Sequence, residues 1–296
     1  LSSEKRVSMQ FYGSKTQTPE LLDDDTAYGF RLSYPNDFVS ADYQWQQIGE
    51  NYNPELGFVQ RKGIRKTSIR GALSPRPEKW NIRQMRFQTF FTQYYSLAQE
   101  TVESRRLSLA PVSLEFDGGE RFSYFASSRF ENLFEPFEIS DGVVIPVGEY
   151  TYLTHRLSYR SKPTIPWQFD VVYSFGSFYS GDSKQFTTEV SWRNASISAS
   201  AELQQYWVDL EEGSFSTRLA LFQFDYSFSP LTTVSSFVQY DTQSQNIGLQ
   251  SRLRWIIKPG NEVFFVVNHA WQQDIFDRFE SLTTDVRAKI NYTFRF

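Results

Sequence analysis

Few side chains in this sequence are suited to acid–base or nucleophilic work. The 296 residues include two histidines, His155 and His269, two methionines and no cysteine. Thiolate nucleophiles, disulfides and cysteine-ligated metals are therefore excluded. Each histidine sits on the apolar side of an alternating segment, His155 with Leu153 and Leu157, His269 with Val267 and Trp271. A serine hydrolase at a lipid surface would need such a histidine beside a serine and a group that orients the ring. Ser158 and Ser198 are of the right type, but no spacing singles one out. Both histidines read as polar spacers near an interface, and no catalytic residue is assigned. The acidic runs Asp23-Asp24-Asp25 and Glu211-Glu212 offer the hard oxygens that Ca²⁺ takes. They lack the spacing and central glycine of a calcium loop and read as solvated loop charge. Gly181, Gly213 and Gly260 form no phosphate-cradling pattern. The expectation is a protein without metal, cofactor or enzymatic activity.

A second set of charges looks more purposeful. Arg156, Arg160, Arg252, Arg254, Arg287 and Lys289 share one side of their segments with a polar set that includes Glu115, Asp170, Glu189, Glu202, Asp225 and Asp285. Together they would line either a conduction path or a mutually neutralising, filled interior. The two signs are similar in number, so no ion preference follows.

The elements that hold these residues alternate with period 2. In 195–207, Ala195, Ile197, Ala199, Ala201, Leu203 and Trp207 oppose Ser196, Ser198, Ser200, Glu202, Gln204 and Tyr206. Segments 165–175, 247–257 and 286–296 repeat the pattern, and no window carries a helical stripe. The segments run past the ~5–6 residues usual for strands in globular proteins and reach the ~9–11 needed to cross a membrane at a tilt. Turns such as 35–37, 117–120, 193–194 and 258–261 alternate with a set that reads as mostly longer, near 13–26, 48–63, 131–149 and 272–282. That parity is the habit of outer-membrane barrels.

Composition agrees. Mean hydropathy is −0.48, and no apolar run is long enough for a spanning helix. Yet aromatics make up 18% of the chain, with 28 Phe, 17 Tyr and 7 Trp. Trp45, Trp80, Trp167, Trp192, Trp207, Trp255 and Trp271 all fall near expected strand ends, where an indole belt would sit at a membrane–water interface. The net charge of −4 argues against a nucleic-acid partner. The reading is a single all-β domain over residues 1–296, an antiparallel transmembrane β-barrel of about 16 strands. Both termini fall on the short-turn side. The chain begins at Leu1 with no charged and apolar leader, which fits a mature protein or one with upstream sequence removed.

Particular motifs add a resemblance. Tyr292, Phe294 and Phe296 at the end of an alternating segment resemble the C-terminal signal read by the outer-membrane assembly machinery. Asn53-Pro54-Glu55-Leu56-Gly57-Phe58-Val59-Gln60-Arg61, Phe130-Glu131-Asn132-Leu133, Glu135-Pro136-Phe137, Ile145-Pro146-Val147-Gly148-Glu149-Tyr150, Asp209-Leu210 with Gly213-Ser214-Phe215, Gln239-Tyr240-Asp241, Leu253-Arg254-Trp255 and Lys258-Pro259-Gly260-Asn261 follow in order. Together they resemble the C-terminal barrel of the DUF5916 family, often labelled carbohydrate-binding family 9-like domain-containing proteins. The resemblance implies a Gram-negative outer membrane, with lipid, lipopolysaccharide and the assembly machinery as partners, and other outer-membrane or periplasmic proteins beside them. It also implies further strands upstream in family members. The expected function is a channel or transport-type pore for small polar solutes, such as carbohydrate-related ones. The alternatives are a plugged barrel that anchors another domain and, last, an outer-membrane hydrolase.

Overall fold

A computed structural model describes residues 7–19, 23–55, 57–274, 276 and 278–294. The strands are β1 (Ser8–Lys15), β2 (Thr26–Tyr34), β3 (Val39–Ile48), β4 (Ile64–Leu73), β5 (Ile82–Met85), β6 (Phe87–Ser96), β7 (Thr101–Phe116), β8 (Arg121–Leu133), β9 (Phe137–Ser140), β10 (Val143–Ile145), β11 (Gly148–Arg160), β12 (Trp167–Phe178), β13 (Gly181–Arg193), β14 (Ile197–Leu210), β15 (Gly213–Ser229), β16 (Thr232–Asp241), β17 (Asn246–Lys258), β18 (Asn261–Gln273) and β19 (Phe279–Asn291). β9 and β10 pair only with each other, and the other strands form one 17-stranded sheet. Setting aside the four-residue β5, which pairs beside β7, sixteen strands follow one another as an antiparallel meander. Every described register in it is antiparallel.

Register fixes what each face carries, because residues directly opposite one another share a face. On β13 and β14 one face brings together Trp192 with Ala199, Val190 with Ala201 and Thr188 with Leu203; the other brings Ser191 with Ser200, Glu189 with Glu202 and Thr187 with Gln204. The same sorting passes to Phe222 and Phe224 against Gln223 and Asp225 on β15. It continues to Leu249 and Leu253 against Gln250 and Arg252 on β17. The apolar face is open to the surroundings: Phe169, Leu203, Phe222, Leu253, Phe265 and Val286 are all exposed. No dry centre forms between layers. Among the described residues the buried apolar side chains are Ala27, Ile64, Ile82, Ala110, Val143, Ile145, Tyr152, Val208 and Leu210, scattered except for one group at a rim.

The polar face is the concave one. Arg70 on β4 and Tyr206 on β14 line one cavity of about 630 Å³. They are seven ladder steps apart by way of β6, β7, β8, β11, β12 and β13, or ~33 Å of flat sheet at ~4.8 Å per step. Only a strongly curled wall brings them together. The ladder begins at β1 and ends at β19. Every residue of β1 is exposed, and so is all of β19 but Asp285 and Asn291.

The connections differ from the length parity read in the sequence. The short side holds, with two residues between β15 and β16 and two between β17 and β18. On the opposite side only 16–25, 49–63 and 134–147 are long; 179–180 and 211–212 are two-residue turns. The stretch 272–282 narrows to 274–278, because β18 and β19 extend into it. The alternating pattern hid this: Gly181 and Gly213 let β13 and β15 begin at once. At Gly213 φ is +150°, a conformation that suits glycine alone.

The face assignment is testable at neighbouring positions. Ala199→Arg, on the apolar face, should cost about 2–4 kcal/mol near a bilayer midplane and cut the yield of heat-modifiable, folded protein in lipid. Ser198→Arg, beside Asp225, should leave that yield unchanged.

Candidate functional site

The polar face is not uniform; its features concentrate on β7, β8 and β11 to β15. At the rim, the chain between β8 and β11 turns back as the β9–β10 hairpin, and its apolar side lies on the concave face. Ile145 is fully buried there and clusters with Val143, Val208 and Leu210, flanked by Leu133, Ile139, Tyr150, Phe178, Tyr206 and Phe215. Gly213 makes room: a Cβ there would lie 3.1 Å from a Val143 methyl. Tyr150 caps the hairpin by donating from its hydroxyl to the Pro146 carbonyl at 2.9 Å. The motif residues around 130–150 and 209–215, far apart in sequence, thus pack as one inward-folded constriction. The other long loop behaves differently. Asn53 donates its backbone N–H to Thr16 Oγ1 at 3.0 Å, Gly57 closes a turn onto the Pro54 carbonyl at 2.8 Å, and Phe58 is exposed. Arg61 reaches back to Glu103 at 3.0 Å and lies over the Tyr94 ring at 4.4 Å.

Beneath the hairpin, Glu131 accepts the hydroxyls of Tyr152 at 2.9 Å and Tyr179 at 2.6 Å. Tyr179 occupies the two-residue turn after β12. Burial, reinforced by the Glu131 carboxylate, holds its phenol protonated far above the ordinary range. The hydroxyl therefore stays a donor at any physiological pH, and the network joins β8, β11 and the β12–β13 turn.

Next along the wall lies a group of arginines. Arg106 on β7 is directly opposite Arg129 on β8, and Arg129 is opposite Tyr152 on β11. Arg156 follows on the same face of β11, and both Arg129 and Arg156 are near enough to repel the Arg106 charge. Arg70, Arg106, Arg129 and Arg156 line the 630 Å³ cavity together. Of these, only Arg156 stands out in the sequence. Arg106 sits on β7, where a bulge between Leu109 and Val112 breaks the alternation that would have revealed its face.

The remaining charges picked from sequence all lie on the concave face, but in separate places. Arg160 donates to Asp170 at 2.7 Å, Arg254 to Glu262 at 2.7 Å and Arg287 to Asp285 at 2.7 Å. Glu189 and Glu202 face each other across β13 and β14. Gln204 donates to Glu202 at 2.7 Å and Gln223 to Asp225 at 2.9 Å. Arg252 is opposite Ser235 and Val266, and Lys289 is opposite Phe264. Arg70, Arg106, Arg129 and Arg156 gather on β4 to β11 and Glu189, Glu202 and Asp225 on β13 to β15, while β17 to β19 carry both signs.

The tryptophans fall at two levels. Trp167, Trp192 and Trp255 lie on the apolar face near the short-turn ends of their strands, with Trp167 and Trp192 6.2 Å apart as a cross-strand pair. Trp80, exposed in the turn before β5, stands at the same end. Trp45, Trp207 and Trp271 stand at the other end. Trp192 is opposite Ala199, and Trp207 lies eight positions farther along β14, about 26 Å at ~3.3 Å per residue. Tyr292 and Phe294 follow β19 with rings 4.6 Å apart; Phe296 lies outside the described residues.

Neither histidine meets the serines considered above. His155 takes Tyr124 Oη at 2.8 Å through Nδ1 on the apolar face, whereas Ser158 bonds Ser123 on the concave face. Ser198 also faces inward, opposite Asp225. His269 meets Thr284 at 2.7 Å through Nδ1 and Ser281 at 3.4 Å through Nε2. That contact is long, and among the described residues no carboxylate is hydrogen-bonded to the ring. Among the described residues no group of three or more potential ligands gathers around a metal position. Asp25 pairs with Lys15 at 3.6 Å, and Glu212 accepts the Ser180 hydroxyl.

No family model matches the chain, and no curated protein matches it. Among solved structures it is similar to an anion-selective porin from Comamonas acidovorans, at 11% sequence identity and a TM-score of 0.37, over 91% of this chain and 90% of that one.

Two measurements check this geometry. Ile145→Ala should release the hairpin, at a cost of about 2–5 kcal/mol for emptying a buried aliphatic site, and limited proteolysis should then cut within 134–147 sooner than in the parent. A fluorophosphonate probe should leave Ser281 unlabelled; specific labelling there would reinstate a hydrolytic role.

Proposed function

We propose that the protein is a β-barrel of the bacterial outer membrane, of the DUF5916 type, that acts as a pore for small polar solutes. The observation that carries the reading is a single-layer wall with its large apolar side chains exposed on the convex face and its charges on the concave one. In water such a surface is a liability; in lipid it is the required arrangement. Backbone groups cannot be left unpaired in hydrocarbon. The ladder satisfies them along the meander, and in a bilayer the exposed edges of β1 and β19 must be covered. Two tryptophan levels about 26 Å apart along the strand project to about 20 Å on the bilayer normal at the ~40° tilt of such strands, on the scale of an apolar band of about 25 Å. Walls of 16 strands enclose water-filled channels, which favours conduction over a packed interior. Placement in lipid and lipopolysaccharide, and insertion by the assembly machinery through Tyr292 and Phe294, belong to the same proposal.

The second reading, a barrel narrowed to an anchor, has the inward-folded β9–β10 hairpin in its favour. Planar-bilayer conductance of the refolded chain separates the two. The pore reading expects steady single-channel currents that increase when 135–146 is replaced by a short Gly-Ser linker. Silence from both proteins would leave the anchor.

A further inference from the structure

We propose that Arg106, Arg129 and Arg156, with Arg70 across the same cavity, form a binding site for small organic carboxylates. The inference rests on the pore reading and names its solute class.

Elsewhere on the concave face several arginines are neutralised: Arg31 pairs with Asp42 at 2.6 Å, Arg160 with Asp170 at 2.7 Å and Arg254 with Glu262 at 2.7 Å. The four cavity arginines have no ion pair among the described residues. The carboxylates near them are engaged: Asp170 and Glu115, which line the neighbouring cavity with Arg156, pair with Arg160 and with Arg83 and Arg121. Asp42, opposite Arg70, is held by Arg31, and Glu131, two positions from Arg129, takes the Tyr152 and Tyr179 hydroxyls. Like charges directly opposite on neighbouring strands are destabilising, and Arg106 and Arg129 accept that arrangement. A cluster serving only to fill the wall would gain by including an acid.

The guanidiniums are also prepared for a ligand. Arg106 donates from Nε to Ser108 at 3.1 Å. Ser108 in turn bonds Ser127 at 2.7 Å, so the stem is fixed while the terminal nitrogens make no hydrogen bond among the described residues. Arg129 Nε is buried without a hydrogen-bond partner, which costs free energy until an acceptor arrives. A guanidinium offers parallel N–H donors that match a carboxylate in two-point contact. The cavity adds Phe90, Phe125 and Phe178, apolar surface for a ring or short carbon body. Its volume of about 630 Å³ falls within the ~300–1,000 Å³ of small-molecule sites.

The test is isothermal titration of the refolded full chain in detergent with benzoate, with its neutral isostere benzyl alcohol, and with inorganic phosphate. Benzoate should bind, with benzyl alcohol and phosphate each weaker by about tenfold or more. The pair Arg106→Gln with Arg156→Gln should weaken benzoate by about tenfold or more, while Arg252→Gln, elsewhere on the concave face, should not. Folding of each variant is checked by heat-modifiable migration. If the pair does not fold, Arg156→Gln alone carries the test, with the same expected loss. Equal binding of benzyl alcohol, binding unchanged in the arginine variants, or phosphate bound as well as benzoate would each overturn the proposal. Titration does not depend on conduction. Benzoate binding by a chain silent in bilayers would sink the pore and keep the site; currents without benzoate binding would do the reverse.

Discussion

Peptide N–H and C=O groups left unpaired away from water cost several kcal/mol each, and this chain answers that demand by pairing every long strand with the next. The meander from β1 to β19 is a consequence of that pairing, and so is the sorting of side chains. Strands in register alternate together, so one decision about which face is apolar propagates across the wall, from Trp192 beside Ala199 to Leu253 beside Phe265. A single layer cannot bury its apolar face against itself, which is why Phe222, Leu203 and Val286 remain exposed. The medium, and not a second layer, must supply what they lack.

Curvature then gives the concave face properties that no single strand has. Side chains separated by seven ladder steps line one cavity. Four arginines gather on β4 to β11, while Glu189, Glu202 and Asp225 occupy β13 to β15. A balanced count of charges is thus unevenly placed, and charges of one sign in a confined, partly desolvated space act more strongly than they would in bulk water. The hairpin 134–147 works on the same face by different means, with Ile145 and Leu210 as apolar contacts and Glu131 with its two tyrosines as polar ones. Polar and apolar devices meet there because the hairpin lays a second layer on the wall.

Bulges limited what could be read along the chain. Period 2 holds wherever a strand is regular, and β12, β14 and β17 match their expected faces. Where β7 shifts register between Leu109 and Val112, the parity of Arg106 against Glu115 cannot be carried along the strand. Loop lengths were misjudged for a related reason. A glycine such as Gly213 reads as loop, yet at a φ of +150° it starts a strand with no loop to spare.

The sequence by itself determined that the chain is all strand, that its faces are chemically unlike and that the strands are long. Those properties follow from residue type and spacing along one strand, which alternation preserves. Only the tertiary structure decided which arginines stand side by side, which carboxylates are already engaged, and which loop folds inward. These depend on register between strands and on the curl of the wall, and neither is written in any one segment: Arg106 and Arg129 are 23 positions apart in the chain and become neighbours only when β7 and β8 pair.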